Sequence, residues 1–227
     1  MRRSIRMASA RPRSVRKRSP ARPRHPAFDT TEHYGQRRAA MVRIAVHLFN
    51  RSGFHATSVE EIARELGLSK ALLYHYFADK TELLYECYLY ALEGSLSAVS
   101  RAAATGRTGR DKVEAYVRLQ FETLAGKDGA AWILSDISAL TSQQRREVRK
   151  QSRAVDSMLQ SFLAEGVRDG TIAGAEPKIT EFFLIGALNW LPRWYKPGGM
   201  LSGDELADIF LRLVIDGLRP RAAAGSS

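Results

Sequence analysis

Lys70, Ala71, Tyr74 and His75 are spaced to share one side of a short helix, with Ser69 at its start, Lys80 beyond it and Thr57 ahead of it. Those residue types suit contact with nucleic acid. Lysine ammonium groups pair with phosphate oxygens, and a serine at a helix start meets phosphate together with the first helical N–H groups, at the positive end of the dipole. Tyr74 can donate its hydroxyl to a phosphate while its ring lies along the sugar edge. Ala71 is short enough to let the helix enter a groove, and His75 can reach a base edge or a phosphate. Thr57 is a candidate helix cap as well as a second phosphate ligand.

No enzymatic constellation competes with this one. The chain has no G-x-S-x-G elbow, no G-x-x-x-x-G-K loop, no G-x-G-x-x-G turn and no H-E-x-x-H pair. Its five histidines include none spaced three or four apart, so neither a metal nor a cofactor is expected. A binding protein is the expectation, and catalysis is not.

The elements that would hold this surface are legible from Val59 to Ala78. Counting from Val59, the fifth position is Ala63, small enough for two helices to cross closely. The ninth is Gly67, where a tight turn asks for the left-handed backbone that glycine adopts freely. Ile62, Leu66, Leu68 and Leu73 fall on the inward positions that join the second helix to the first, and Tyr76 falls near an inward position too. Together these constraints describe a helix-turn-helix.

The rest of the chain reads as all-α, with about nine helices. A first helix at about 31–52 carries Met41, Ile44, Ala45, Leu48 and Phe49 on one face; Gly53 ends it and Phe54 folds back on its last turn. The next starts at Thr57 or Ser58, each with a glutamate three residues on, then come the helix after Ser69 and one starting after Asp79. Further helices are expected at about 111–125, 129–140, 142–168, 177–195 and 203–218.

Charge is uneven. The net charge is +11, yet residues 1–28 hold nine Arg, one Lys and no acid, which leaves the rest of the chain nearly neutral. Residues 1–31, interrupted by Pro12, Pro20, Pro23 and Pro26, are expected to be a disordered tail that binds DNA whatever its sequence. The domains expected after it are a DNA-binding head at 32–80, a helical body at 81–219 and a short disordered end at 220–227. The lone Cys87 fits a reducing compartment, no apolar stretch follows Arg2-Arg3 as an export signal would need, and the apolar run Phe182–Leu191 reads as a buried helix too short for a bilayer. A cytoplasmic protein is expected.

Two clusters keep more than one reading. Arg145, Arg146, Arg149, Lys150 and Arg153 form a basic stripe that is a solvated face, a seat for an anionic ligand or a second DNA contact. Asn189, Trp190, Arg193, Trp194 and Tyr195 pack in a core or dimer contact, or line a pocket.

The run Thr57-Ser58-Val59-Glu60-Glu61-Ile62-Ala63, followed by Gly67, Ser69, Leu73-Tyr74-His75-Tyr76-Phe77 and Lys80, resembles the N-terminal signature of the TetR family, over about residues 35–82. The aromatic order departs from that family's commoner Tyr-Tyr-His-Phe. The resemblance implies a homodimeric transcriptional regulator, in the first instance a repressor, that leaves a palindromic double-stranded operator when a small molecule occupies its body. It implies DNA contacts from Thr57, Ser69, Lys70, Ala71, Tyr74, His75 and Lys80. It implies a dimer through the last two long helices, for which Phe183, Gly186, Ala187, Leu206, Ile209, Phe210 and Leu213 are the candidates. The stretch Asn189–Gly199 with Leu201-Ser202 and Glu205-Leu206-Ala207 is similar to the ends of TetR-type regulators of fatty-acid and steroid-ring degradation, several of which respond to acyl-CoA. An acyl-CoA effector would need an apolar cavity, with Tyr116, Phe121, Trp132, Phe162 and Trp190 as candidate walls, and cations for its phosphates, with Arg149, Arg153 and Arg193 as candidates. The rival expectations are an apolar drug-like or aromatic effector of an efflux regulator, a helical interaction module that does not bind DNA, and a sequence-indifferent DNA-compacting protein.

Overall fold

A computed structural model describes residues 31–126, 137–173, 176–195 and 199–217. Within them the chain forms eight α-helices and two 3₁₀ turns, with no strand. Helix α1 (Thr31–Ser52) stops at Gly53, whose φ of +82° turns the chain so that the Phe54 ring lies 5.5 Å from that of Phe49. Helices α2 (Val59–Glu65) and α3 (Lys70–Tyr76) are joined through Gly67 at φ +64°. The long α4 (Lys80–Thr105) leaves this head and enters the body.

In the body, α5 (Gly109–Ala125) begins two residues earlier than the periodicity suggests, because Thr108 and Asp111 close a reciprocal capping box. Helix α6 (Ser142–Arg168) has the expected bounds and a second such box, between Thr141 and Gln144. Of the helix expected at 129–140, only a 3₁₀ turn at Ile137–Ala139 is described. The helix expected at 177–195 is shorter: α7 (Pro177–Trp190) tightens into a 3₁₀ turn at Leu191–Arg193. Pro192 has no N–H to continue the ladder, and Leu191 N–H bonds the Leu188 carbonyl one residue short of α spacing. Helix α8 (Gly203–Gly217) closes the described chain. The tails expected at 1–31 and 220–227 lie, apart from Thr31, outside the described residues.

Two apolar cores result. The head core gathers Ala45, Leu48 and Phe49 of α1, Ile62, Leu73, Tyr76 and Phe77 with Leu83, Leu84 and Cys87 of α4, and also takes in Leu140 and Val148. The body core gathers Val99 and Ala102 of α4, Tyr116 and Phe121 of α5, Leu159 and Phe162 of α6, Leu184 and Leu188 of α7, and Leu206 and Leu211 of α8. Helices α4 and α6 therefore act as struts, each with one end in either core. Among the described residues no helix is long and apolar enough to cross a membrane.

Candidate nucleic-acid interface

Three caps fix the head. Ser58 Oγ accepts from Glu61 N (3.0 Å), Ser69 Oγ from Leu72 N (3.2 Å) and Asp79 Oδ1 from Glu82 N (2.7 Å), so each helix starts at a set residue. With α3 held in this way, Leu73 and Tyr76 are buried, and Ser69, Lys70, Ala71, Tyr74 and His75 are exposed in one row. The Lys70 ammonium pairs with the Glu60 carboxylate of α2 and lies 5.8 Å from the Tyr74 ring centre. That hydrogen bond draws the Glu60 carboxyl below its usual range and raises Lys70 above its own, so both stay charged on the open face.

Two of the seven candidates are spent inside the protein. Thr57 is fully buried, and its hydroxyl donates to the Gly53 carbonyl at 2.8 Å, so it closes the turn after α1 and offers nothing to a phosphate; Ser58 is the cap. The Lys80 ammonium donates to the carbonyls of Phe54 (2.9 Å) and Thr57 (3.0 Å) and sits 4.2 Å over the Phe54 ring. Two unsatisfied carbonyls in the turn after α1 attract the cation inward more closely than open solvent does. It thereby clamps that turn to the start of α4.

One residue of this surface escapes the motif. Tyr34, in the first turn of α1, stacks on Tyr76 at 4.5 Å and meets His75 edge-on at 6.4 Å, so the start of α1 adjoins the end of α3. A lone aromatic in a polar first turn was its only sequence signal. Behind the row, Arg38 pairs with Glu86 of α4 at 2.6 Å and lies 5.0 Å over the Phe77 ring, tying α1 to the strut.

The body candidates divide into three places. Tyr116, Phe121 and Phe162 are buried together in the body core. Burial pushes the Tyr116 hydroxyl above its usual range, countered by hydrogen bonds with Gln120 and Ser95, and the carboxylates of Asp156 and Glu181 add to the rise. Arg149 and Arg153 do not join them: they are exposed and line a separate open cavity beside Tyr85 of α4. Trp190 is not an interior wall either, since it is 61% exposed on the outer side of α7. Trp132 and the side chain of Arg193 lie outside the described residues.

The dimer candidates also separate. Phe183 is 62% exposed, Gly186 is exposed beside half-buried Ala187, and Leu213 is 74% exposed. Leu206 instead packs into the body core, and half-buried Phe210 lies 5.5 Å from Phe121, with Ile209 half-buried. Helix α8 lies against α5, so these two side chains fill the groove between the helices and leave Leu213 outward. Nor is α7 buried on all sides: it buries Glu181, Leu184 and Leu188 and leaves Ile179, Phe182, Phe183 and Trp190 in the open. Their spacing along α7, beside Gly186, makes one apolar stripe.

Known proteins match both halves. A family model described as bacterial regulatory proteins, tetR family, matches residues 42–87, and one described as tetracyclin repressor-like, C-terminal domain, matches residues 106–218. The HTH-type transcriptional repressor KstR2 of Rhodococcus jostii is 30% identical over 199 residues, covering 85% of this chain and 96% of the relative. The fold superimposes on the ketosteroid transcriptional regulator KstR2 of Mycobacterium tuberculosis with a TM-score of 0.72 at 21% identity, over 82% of this chain and 96% of that one. It also superimposes on AibR in complex with isovaleryl coenzyme A and operator DNA, with a TM-score of 0.68 at 23% identity, over 78% of this chain and 97% of that one.

Proposed function

We propose that this chain, which belongs to the tetR family of bacterial regulatory proteins, is a cytoplasmic homodimeric repressor that binds a palindromic operator and is released by an acyl-CoA effector. It is a DNA-binding transcriptional regulator and not an enzyme. The observation that carries the reading is the row Ser69, Lys70, Ala71, Tyr74 and His75, exposed on a helix whose opposite side is buried. A hairpin that only packed against protein would have no use for a lysine, a tyrosine and a histidine side by side in solvent. Two such helices related by a two-fold axis meet successive major-groove faces about 34 Å apart. The head at residues 32–80 reads DNA; the body at 81–219 pairs the protomers and takes the effector.

The apolar stripe Ile179, Phe182, Phe183 and Trp190 with Leu213 is the surface a second copy covers. In the body core Tyr116 lies near the carboxyls of Asp156 and Glu181, and Phe121 and Phe162 add apolar surface to the same core. Two carboxyls near the effector's head would repel a free acid and tolerate a neutral thioester. AibR, a relative in fold, binds an acyl-CoA. Release follows when the effector favours one spacing of the two heads over another, and only by its differential affinity for the two.

Gel shifts on palindromes upstream of the chain's own gene, beside random DNA, test the DNA reading. Operator release at micromolar acyl-CoA, with the matching free acids inactive, is the expected result. Release by acids and thioesters alike would remove the acyl-CoA reading and leave the DNA reading untouched.

A further inference from the structure

The basic stripe on α6 borders an open cavity of about 780 Å³. Arg146, Arg149, Lys150 and Arg153 line it from α6, at spacings of three and four that bring all four to one side of the helix, and Tyr85 lines it from α4. Arg145, the fifth member of the stripe by sequence, does not take part. Its guanidinium turns back to the Ser138 and Leu140 carbonyls and holds the 3₁₀ turn against α6.

A plain solvated face fits these residues poorly. Three other cations of the body have carboxylate partners: Arg110 with Glu114 (2.6 Å), Lys112 with Glu165 (2.6 Å) and Arg118 with Asp208 (2.7 Å). Among the described residues Arg146, Arg149, Lys150 and Arg153 form no ion pair, and Glu147, the acid in the lining, accepts instead from Gln151 Nε2 at 3.0 Å. Like charges three and four apart destabilise a helix unless a counter-charge joins them. We propose that this cavity binds the phosphate groups of a nucleotide-like small molecule, through Arg146, Arg149, Lys150 and Arg153 with Tyr85 as its aromatic wall.

The shape favours a small anion over a duplex. The volume falls within the range of small-molecule sites, about 300–1,000 Å³, and the charges border a hollow, whereas DNA presents a convex surface. Half-buried Tyr85 carries a hydroxyl raised by burial and by the nearby carboxylates of Glu147 and Glu86, so it stays protonated and donates to phosphate oxygen. The position also matters. Tyr85 packs on the head core, and Val148, on the same stretch of α6, is buried in it. A ligand touching both struts is therefore attached to the head.

The site goes beyond the acyl-CoA reading and shares with it only the premise that the regulator is ligand-responsive. Titration calorimetry of the full chain with adenosine 3′,5′-bisphosphate, coenzyme A and adenosine, at about 0.15 M salt, tests it. The comparison is an Arg149→Ala/Lys150→Ala variant, altered only on exposed side chains, with its fold verified by circular dichroism. The bisphosphate and coenzyme A should bind wild type, adenosine should not, and the variant should bind both phosphates about tenfold more weakly or worse. Equal affinities in wild type and variant, or no binding of either phosphate compound to wild type, overturn the site. So does a variant that loses affinity for random DNA with nucleotide binding absent throughout, which makes the stripe a DNA surface. Acyl-CoA that releases operator from wild type but not from the variant identifies the ligand as the phosphorylated end of the effector; equal release from both identifies a separate nucleotide. Calorimetry needs no operator, so failure of acyl-CoA to release DNA leaves the site standing, and failure of the bisphosphate to bind leaves the acyl-CoA reading standing.

Discussion

In the head, Gly67 sits at φ +64° with nothing within 4 Å of where a side chain would begin; in the body, a methyl group on Gly109 would lie 2.0 Å from Gly166 N and 2.4 Å from the Phe162 carbonyl oxygen. The first glycine is needed for a backbone conformation, the second for a close approach of two helices. Charge divides along the same line. The head turns Lys80 and Arg38 inward to clamp its elements and keeps one short row open, whereas the body leaves a basic stripe of α6 unmatched and an apolar stripe of α7 uncovered. A head that reads DNA must be rigid by itself. A body that pairs with a copy of itself and takes a ligand keeps its unfinished surfaces outside.

Substitution at the two glycines breaks or sharpens this contrast with the largest effects. Gly109→Ala forces the backbones of α5 and α6 apart and should destabilise the body by about 3 kcal/mol or more. Gly67→Ala carries only the left-handed backbone penalty, about 1–2 kcal/mol, in open space. Urea unfolding followed by circular dichroism measures both. A Gly67 variant less stable than the Gly109 variant would mean that the turn conformation in the head, and not the close approach of two helices in the body, is the tighter constraint.

The same pair of glycines explains what the sequence made legible. Gly67 acts within a span of consecutive residues whose positions check one another, from Ala63 to Leu73, so the helix-turn-helix and its exposed row could be read directly. Gly109 and Gly166 are far apart in the chain and meet only because α5 crosses α6, and neither lies in a pattern that announces it. Lys80 and Thr57 escape the spacing argument for a related reason: spacing puts a residue on a side of a helix but does not say that backbone carbonyls wait there, those of Phe54 and Thr57 for Lys80 and that of Gly53 for Thr57. On α8, amphipathicity identified an apolar face, yet Leu206 and Phe210 turned out to fill the groove on α5. Periodicity records that a face must be covered and not by which neighbour.

Phe183→Asp tests the uncovered side of the body. A carboxylate at the centre of the stripe on α7 should cost an interface several kilocalories, about 2–4 kcal/mol for a central aromatic, while the folded protomer is spared because the side chain is exposed. Sedimentation at micromolar concentration should show wild type as a dimer and the variant as a monomer with unchanged helicity. An unchanged dimer would transfer the pairing surface away from α7.

A smaller effect is expected at the open row of the head. Lys70→Ala should weaken operator binding by about tenfold, within the range of a charged phosphate or base contact, and leave dimerisation unaltered. Glu60→Gln should act in the opposite direction, because it frees the Lys70 ammonium and removes a negative charge beside the DNA. Fluorescence anisotropy with labelled operator measures both. If both variants weaken binding equally, the pair itself and not the free cation is what the DNA meets.

The smallest predicted effect concerns pH, and the comparison assigns it to the body. Glu181 is only 1% exposed; burial pushes its carboxyl up, the hydrogen bond from Gln160 Nε2 (3.3 Å) draws it back, Asp156 nearby raises it further, and Lys178 lowers it slightly. Asp156 is raised by burial as well. A carboxyl whose pKa is higher folded than unfolded favours the fold while protonated, and that contribution is lost as pH rises through its folded value. Asp111, Asp169 and Glu205, held down by hydrogen bonds at turns and helix starts, run the other way: their contribution is present at neutral pH and disappears on acidification. The raw melting curve sums both signs, so the informative quantity is a difference between variants. Glu181→Gln keeps an oxygen that can accept from Gln160 and removes the charge. Its Tm should exceed that of wild type at neutral pH, and the gap should close as pH falls towards the ordinary glutamate range, about 4.3. A gap that stays constant from neutral to acidic pH would show that Glu181 is neutral throughout or solvated in the folded protein, and would leave the pH dependence of the body to the lowered carboxyls of Asp111, Asp169 and Glu205.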